Sequence, residues 1–389
     1  MALKRTDRKM LNLSSLLYST ANDNLLKQLD LEANEKDFIS KCKNKVRACI
    51  RDELTATLKE TFSVEQTVSP KFFTQGSWAY KTLNSPCHTP PQQCDIDDGV
   101  YFPLSIMQEE KKPSIASTTL FAAIEGILEK LAKKEGWTLD SGKDTCVRLI
   151  LTERAHLDIP LYAIPDGAFT QMATEAIDRG YGNFADALSK RDQESWTQLP
   201  SDEVLLAHRK EGWITSDPRP IKQWFLDEVD AKGEQLRRVV RYLKSIRDMH
   251  WKSGGPSSIL LMAASAPLFK RHDKRDDLAL LNVLQQLPEH LRNGVNNPAK
   301  GQTNESLTDR LSQEELNTVV SLFEKVSSDL NTAIYDSAPH AACEILIGIF
   351  GARLPNLPNE ATQSAAKDVL AATPVISGPD EPITRTKAG

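Results

Sequence analysis

The sequence predicts an α+β protein of two lobes, a mixed β-sheet lobe followed by a helical one, and three observations carry that reading. Over the first seventy positions apolar residues recur at three- and four-residue spacings, the period of an amphipathic helix. Between about residues 70 and 165 that period gives way to short alternating runs bounded by turn formers. Beyond Ile221 helical periodicity returns and holds to about Ala372. A length of 389 residues accommodates about two folding units at roughly 150 residues each. The expected boundaries are 1–220 for the sheet lobe with its N-terminal helices, 221–373 for the helical lobe, and 374–389 for a tail.

The elements follow in order. Leu16, Leu17, Leu25, Leu26 and Leu29, then Phe38, Ile39, Val46, Ile50 and Leu54, mark the N-terminal helices, expected to back the sheet. The character changes at Ser69-Pro70, and turn formers lead to a strand-like run, Ile96 to Phe102. Thr119 to Lys134 is helical through Leu120, Ile124, Ile127, Leu128 and Leu131 and stops at Gly136. Thr145 to Ile164 alternates, which predicts two strands around a turn near Glu153-Arg154. Gly180 to Pro220 is polar and irregular and reads as a connection with one or two short helices. Pro374 to Gly389 holds three prolines and too little apolar content to dock, so it is expected to be mobile.

Composition narrows the function. The chain carries 48 Lys and Arg against 53 Asp and Glu, a formal charge of −5. A protein that coats long nucleic acid needs a net basic face, so that class is disfavoured. No apolar run approaches the roughly 20 residues that span a bilayer. The basic start, Met1 to Met10, is not followed by the apolar stretch of a secretory signal. Cys42, Cys49, Cys87, Cys94, Cys146 and Cys343 are scattered with no CxxC pair, which argues against a disulfide framework or structural zinc. A reducing, cytoplasmic location is expected.

The sharpest local feature is Asp95-Ile96-Asp97-Asp98-Gly99. In a strand Asp95 and Asp97 share one face while Ile96 and Asp98 take the other. Two carboxylates held that close repel unless a cation sits between them, and hard oxygen ligands suit Mg²⁺. Such a pentapeptide alone is as often a solvated turn, but three neighbours add weight. Gln75-Gly76-Ser77, with Tyr80-Lys81-Thr82 just after, offers backbone N–H groups and a hydroxyl to a phosphate. Asp158, within His156-Leu157-Asp158-Ile159-Pro160, is a carboxylate in an apolar segment and needs a partner or a metal. Arg148 lies on the same expected hairpin, where it could reach a triphosphate. Three carboxylates beside an anion cradle describe a two-metal phosphoryl-transfer site, which requires no Ser–His or Cys–His nucleophile.

The stretch Gln75-Gly76-Ser77-Trp78-Ala79-Tyr80-Lys81-Thr82-Leu83-Asn84, then Asp95 to Gly99, then His156 to Pro165, closely resembles the bacterial cGAS/DncV-like nucleotidyltransferases of the polymerase-β-like superfamily. The resemblance continues through Trp213 to Pro218, Leu236-Arg237-Arg238, Arg247-Asp248 and Gly254 to Ile259. It implies a polymerase-β-like fold, metal-binding and catalytic roles for Asp95, Asp97 and Asp158, and two Mg²⁺ ions, with Mn²⁺ as a substitute. It implies a phosphate cradle at Gln75, Gly76 and Ser77, base stacking at Tyr80, and nucleotide contacts from Arg148, Lys244 and Ser258. A base-pocket acceptor would fall near Gln302 to Glu305. The implied reaction converts ATP and GTP to 3′,3′-cyclic GMP-AMP and pyrophosphate, a second messenger in antiphage (CBASS) defence acting through a downstream effector. An E1/E2-like partner joining Gly389 to a target is implied as well. The alternatives are a linear oligonucleotide or template-free RNA nucleotidyltransferase, or a non-catalytic nucleotide sensor.

The helix around Lys244 has a reading of its own. At 100° per residue Arg237, Arg241, Lys244 and Asp248 fall within about 60° of one another, while Leu236, Val239, Val240, Leu243 and Ile246 take another face. A core-packed side and an outward basic stripe are expected, with Ser257 or Ser258 capping the next helix. The histidines show no metal-ligand spacing, and His156 is expected to support its strand. The run Lys270 to Asp277 alternates in sign and reads as a solvated loop or helix start.

Overall fold

The computed structural model describes residues 10–62, 67–104, 113–166, 201–299 and 306–364. In chain order the elements that matter are β1 (Leu11–Asn12), α1 (Ser14–Leu17), α2 (Leu25–Leu29), α3 (Ala33–Phe62), β2 (Lys71–Gln75), α4 (Gly76–Ala79) and β3 (Cys94–Pro103). Next come α5 (Pro113–Glu135), β4 (Thr138–Asp140), β5 (Cys146–Thr152), β6 (Ala155–Ile164), β7 (Leu205–His208) and β8 (Gly212–Thr215). The helical half holds α6 (Arg219–Lys232), α7 (Glu234–His250), α8 (Ser258–Ser265), α9 (Asp276–Arg292), α10 (Gln313–Tyr335), α11 (Pro339–Phe350) and the short β9 (Thr362–Gln363).

The sheet runs β2-β3-β6-β5-β4, with β7 on β6 and β8 on β7. Among the described residues the β3–β6 pair of this sheet is parallel and its other pairs are antiparallel. Strand alternation then sorts side chains by face. Ile96, Val100 and Phe102 of β3, with Leu157, Ile159 and Leu161 of β6, join a core with Ile39, Val46, Ile50 and Leu54 of α3 and Leu120, Ile124, Ile127 and Leu128 of α5. The opposite face carries Asp95, Asp97, His156 and Asp158. The expected hairpin is present, with its turn at Glu153-Arg154.

One carboxylate sits on the covered face. Asp98, 2% exposed, accepts from Arg47 Nε of α3 at 2.6 Å and from Thr74 Oγ1 at 2.8 Å. Removing the cation from such a pair leaves an uncompensated buried charge. Arg47→Ala should therefore lower stability by about 3 kcal/mol, read as a fall in the urea midpoint. An unchanged midpoint would show that Asp98 needs no partner.

Three expectations are corrected. Residues 10–29, expected in the sheet lobe, belong to the other: Leu11, Leu13, Leu16, Leu17, Leu25 and Leu29 are buried in the core built by α6 to α11. Periodicity reports a helix's apolar face and not which lobe receives it. β1 pairs antiparallel with β9, and Asp277 accepts from Leu13 N–H at 2.9 Å and from Ser14 Oγ at 2.7 Å. Arg275, paired with Asp277, donates to the Leu11 carbonyl and to Ser364 Oγ, both at 2.9 Å. The charge run is thus a helix start, but Arg275, Asp276 and Asp277 are buried instead of solvated. Finally, the connecting region holds one short helical turn as expected, a 3-10 helix at Ser201–Glu203, but also β7 and β8, a hairpin too short to show alternation; its residues 167–200 lie outside the described residues. The tail, 374–389, lies outside them too. Among the described residues no helix is long and apolar enough to cross a membrane.

Candidate active site

Strand register assembles the acids. On the parallel β3–β6 pair Asp95 lies opposite His156 and Asp97 opposite Asp158, and on the antiparallel β5–β6 pair Arg148 lies opposite Asp158. Neighbouring strands stand about 4.8 Å apart, so four acid and imidazole side chains crowd one face. His156 Nε2 is 2.8 Å from Asp95 Oδ1 and 4.0 Å from Asp158 Oδ1. Asp95, His156 and Asp158 each bring a ligand atom within 4.8 Å of the others. Arg148 donates to both oxygens of Asp158, Nε at 2.6 Å and Nη2 at 2.7 Å. The arginine expected to reach a triphosphate is thus engaged with an acid, because register puts the two side by side.

Crowding has an electrostatic signature. Burial first, then the charges of Asp95 and Asp158, push the Asp97 carboxyl well above the ordinary range. Asp95 goes the other way: burial pushes it up, but the hydrogen bond and charge of His156, with Arg148 and Lys244, leave it below the ordinary range. A cluster of hard oxygens in which burial and neighbouring charges push one carboxyl well above the ordinary range fits a divalent cation, which would relieve the repulsion.

Gly76 explains how the cradle meets the acids. Its φ is +66°, a region that L side chains rarely adopt, and a Cβ there would fall on Asp97 Oδ2. Any side chain must push the acid away. Gly76→Ala should cut turnover at least about a hundredfold, on the scale of an ångström misplacement at a reacting centre. Single-turnover product formation checks this, and near-parental turnover would detach Asp97 from the chemistry.

Ser77 is reached from the helical lobe. Lys244 Nζ of α7 donates to Ser77 Oγ at 2.9 Å and to the Thr82 carbonyl at 2.7 Å. Lys244 is only 3% exposed; burial, then Arg247 and Arg241, lower its pKa to about 7 against the pull of Asp248 and Asp95. The basic stripe expected to look outward instead faces the sheet lobe. Arg241 bonds Asn84 Oδ1 at 2.9 Å and pairs with Asp30 at 2.9 Å, and Arg237 donates to the Tyr80 carbonyl at 3.1 Å. An amphipathic pattern cannot separate solvent from a polar lobe interface.

Two more residues depart from expectation. Gln75 Nε2 donates to Tyr162 Oη at 3.0 Å behind the acids, so its side chain locks the sheet instead of facing a phosphate. Tyr80 is buried, tilted against Phe225 with ring centroids 6.2 Å apart, so its ring packs in the helical core and is not offered to a base. Ser258 is as expected near the cleft, accepting from Arg247 Nη1 at 3.0 Å, and Ser257 is the cap, accepting from Leu260 N–H.

A cleft of about 330 Å³ brings Ser77, Asp95, Lys244 and Ser258 together with Asn84, Gln92, Arg247, Trp251 and Lys252. Gln92 and Trp251 were not foreseen. Gln92 Nε2 donates to the Asp248 and Trp251 carbonyls, both at 2.7 Å, and its Oε1 accepts from Cys87 and His88 N–H at 2.8 and 3.0 Å. It ties the loop before β3 to the end of α7. In sequence it is one polar residue after two prolines, with no signal of that role. Gln302 to Glu305 and Gly389 lie outside the described residues.

Residues 70–162 match the family described as the nucleotidyltransferase domain of cyclic GMP-AMP synthase DncV-like proteins, and residues 233–363 match the cyclic GMP-AMP synthase C-terminal domain. A cyclic GMP-AMP synthase of Escherichia coli is 38% identical over 243 residues, covering 59% of this chain and 55% of that protein. One from Vibrio cholerae is 38% identical over 247 residues with the same coverage. The chain thus spans little more than half the length of the curated relatives it matches. Vibrio cholerae DncV with the linear intermediate pppA(3′,5′)pG superposes with a TM-score of 0.76 at 27% identity, covering 92% of this chain and 100% of that one. A DncV variant with ATP, GTP and 5MTHFGLU2 gives 0.77 at 26%, with equal coverage. The sheet lobe and the helical lobe thus each match a domain of one family and superpose together on its solved structures, and the chain belongs to the DncV-like nucleotidyltransferases.

Proposed function

We propose that this protein is a Mg²⁺-dependent nucleotidyltransferase that joins ATP and GTP into 3′,3′-cyclic GMP-AMP with release of pyrophosphate. The observation that carries the reading is the placement of Asp95, Asp97 and Asp158 on one sheet face beside a cleft whose far wall supplies Lys244 and Ser258. Bound to these acids, divalent ions would lower the pKa of the attacking hydroxyl and offset charge on the triphosphate. The residues themselves position and neutralise. Ser77 and Lys244 hold the phosphate chain against the sheet, Ser258 and Arg247 close it from the helical side, and Arg148 keeps Asp158 oriented. The 3′-oxygen of one nucleotide forms a bond to the α-phosphorus of the other; the α–β bridging bond breaks, pyrophosphate leaves and the hydroxyl proton is lost. A second round closes the ring. The role of the product as a messenger in antiphage defence, read by an effector, belongs to the same proposal.

Incubation with the four ribonucleoside triphosphates and Mg²⁺ or Mn²⁺, followed by phosphatase and mass spectrometry, tests it. The expected product is phosphatase-resistant and has the mass of cyclic GMP-AMP. Linear products alone would point to an oligonucleotide synthase, and nucleotide binding without pyrophosphate release would point to a sensor.

A further inference from the structure

His156 stands in this site without a role in the reaction described above, and its surroundings decide what it does. Gln93 Nε2 donates to the Thr152 carbonyl at 3.0 Å, which fixes the amide so that Oε1 faces the imidazole. Gln93 Oε1 is 3.0 Å from His156 Nδ1, so Nδ1 carries a proton and donates. That proton is fixed from outside the site. The ring's other nitrogen, Nε2, lies 2.8 Å from Asp95 Oδ1, and since a carboxylate oxygen only accepts, Nε2 donates as well, so both ring nitrogens carry protons.

The two partners differ in freedom. The His156 side chain is 8% exposed, whereas that of Asp95 is 53% exposed to the cleft. Asp95 also feels repulsion from Asp97 and Asp158 on the same face, which would turn an untethered carboxylate outward. We infer that His156, oriented by Gln93, is a positioning residue that holds the Asp95 carboxylate beside Asp158, as a partner behind a metal ligand does. The inference rests on the two-metal reading above. The relay runs from the Thr152 carbonyl at the β5–β6 turn through Gln93 and His156 to the acid, crossing from β6 to β3 at the register where they face each other. Arg148 performs the matching task for Asp158 from the other side.

Binding of Mn²⁺, followed by the loss of its free-ion electron paramagnetic resonance signal in the presence of a nonhydrolysable GTP analogue, tests the relay apart from turnover. His156→Ala should weaken Mn²⁺ binding by about tenfold, the lower end of the effect of removing a ligand's supporting partner. His156→Gln, whose amide nitrogen reaches the position of Nε2, should recover affinity to within about threefold of the parent. Gln93→Ala, a loop change that spares the sheet, should weaken binding by about threefold. Product formation by His156→Ala should recover at saturating Mn²⁺, which a general structural defect would not allow. Parental or tighter Mn²⁺ binding by His156→Ala and Gln93→Ala would overturn the inference, since the imidazole would then compete with the ion. Equal loss in the Gln and Ala variants at unchanged melting temperature would overturn it as well. A parent protein that binds no Mn²⁺ would sink the two-metal reading itself.

Discussion

Replacing Asp95 and Asp97 together with Ala is expected to abolish product formation while the protein remains folded. Ion binding at such carboxylates supplies several kcal/mol of transition-state stabilisation, and 4 kcal/mol is about a thousandfold in rate. The stability side can be argued separately for each acid. Asp97 has a raised pKa in the folded protein, so the folded state holds its proton over a range where the unfolded chain has released it. Its contribution to stability is present in acid and is lost as pH rises through the folded value. Above the folded value its charge is a burden on the fold, and there Asp97→Asn should raise the melting temperature. Asp95, depressed by His156, contributes stability above its unfolded value that is lost on acidification, and its removal costs a little. The double variant should thus melt close to the parent. Undiminished synthesis by that variant would remove both acids from the chemistry.

Lys244 carries the second large effect. With its pKa near 7 in the nucleotide-free protein, a large share of the molecules hold a neutral amine at pH 8. A triphosphate beside Nζ favours the charged form, so binding above pH 7 should take up a proton. Affinity for a nonhydrolysable GTP analogue should then fall by up to about tenfold per pH unit until the pKa of the complex is reached. Calorimetry at pH 8 in two buffers of different ionisation enthalpy reads the uptake directly. Lys244→Met should abolish both the uptake and the pH slope and weaken binding by at least about tenfold, the worth of one buried charge-assisted contact. Heats independent of the buffer would place Lys244 outside the phosphate site. The same depressed value has a sign in folding: stability rises as pH climbs from about 7, because the unfolded chain then keeps a proton that the folded state has lost.

Much of this arrangement was legible in the residues. Alternation placed Asp95 and Asp97 on one face and Asp98 on the other, and the hairpin around Glu153-Arg154 placed Asp158 and Arg148 on neighbouring strands. What alternation cannot supply is register. A shift of two residues between β3 and β6 would keep every face and still separate Asp95 from His156. The contacts of Tyr80 and Gln75 were likewise hidden, because whether a ring meets a ligand or Phe225 depends on a helix 145 positions away in the chain. The α7 stripe was correct as a pattern and wrong as a surface. Its cations meet Asn84, Asp30 and the Tyr80 carbonyl, all contributed from segments far upstream in the chain.

The strap formed by β1, α1 and α2 has a bearing on how the protein is made. Synthesis proceeds from the N-terminus, so Leu11, Leu13, Leu16 and Leu17 emerge from the ribosome long before α9 and β9, which cover them. The sheet half can close once Thr215 is out, since its core needs nothing later. The helical half cannot, because Ser14 waits for Asp277 and Leu11 waits for Gln363. Lys244 reaches its place over Ser77 only when that second half settles. A half-made chain therefore exposes the acids without the lysine that faces them, and the cleft comes into being only after Gln363 has been made.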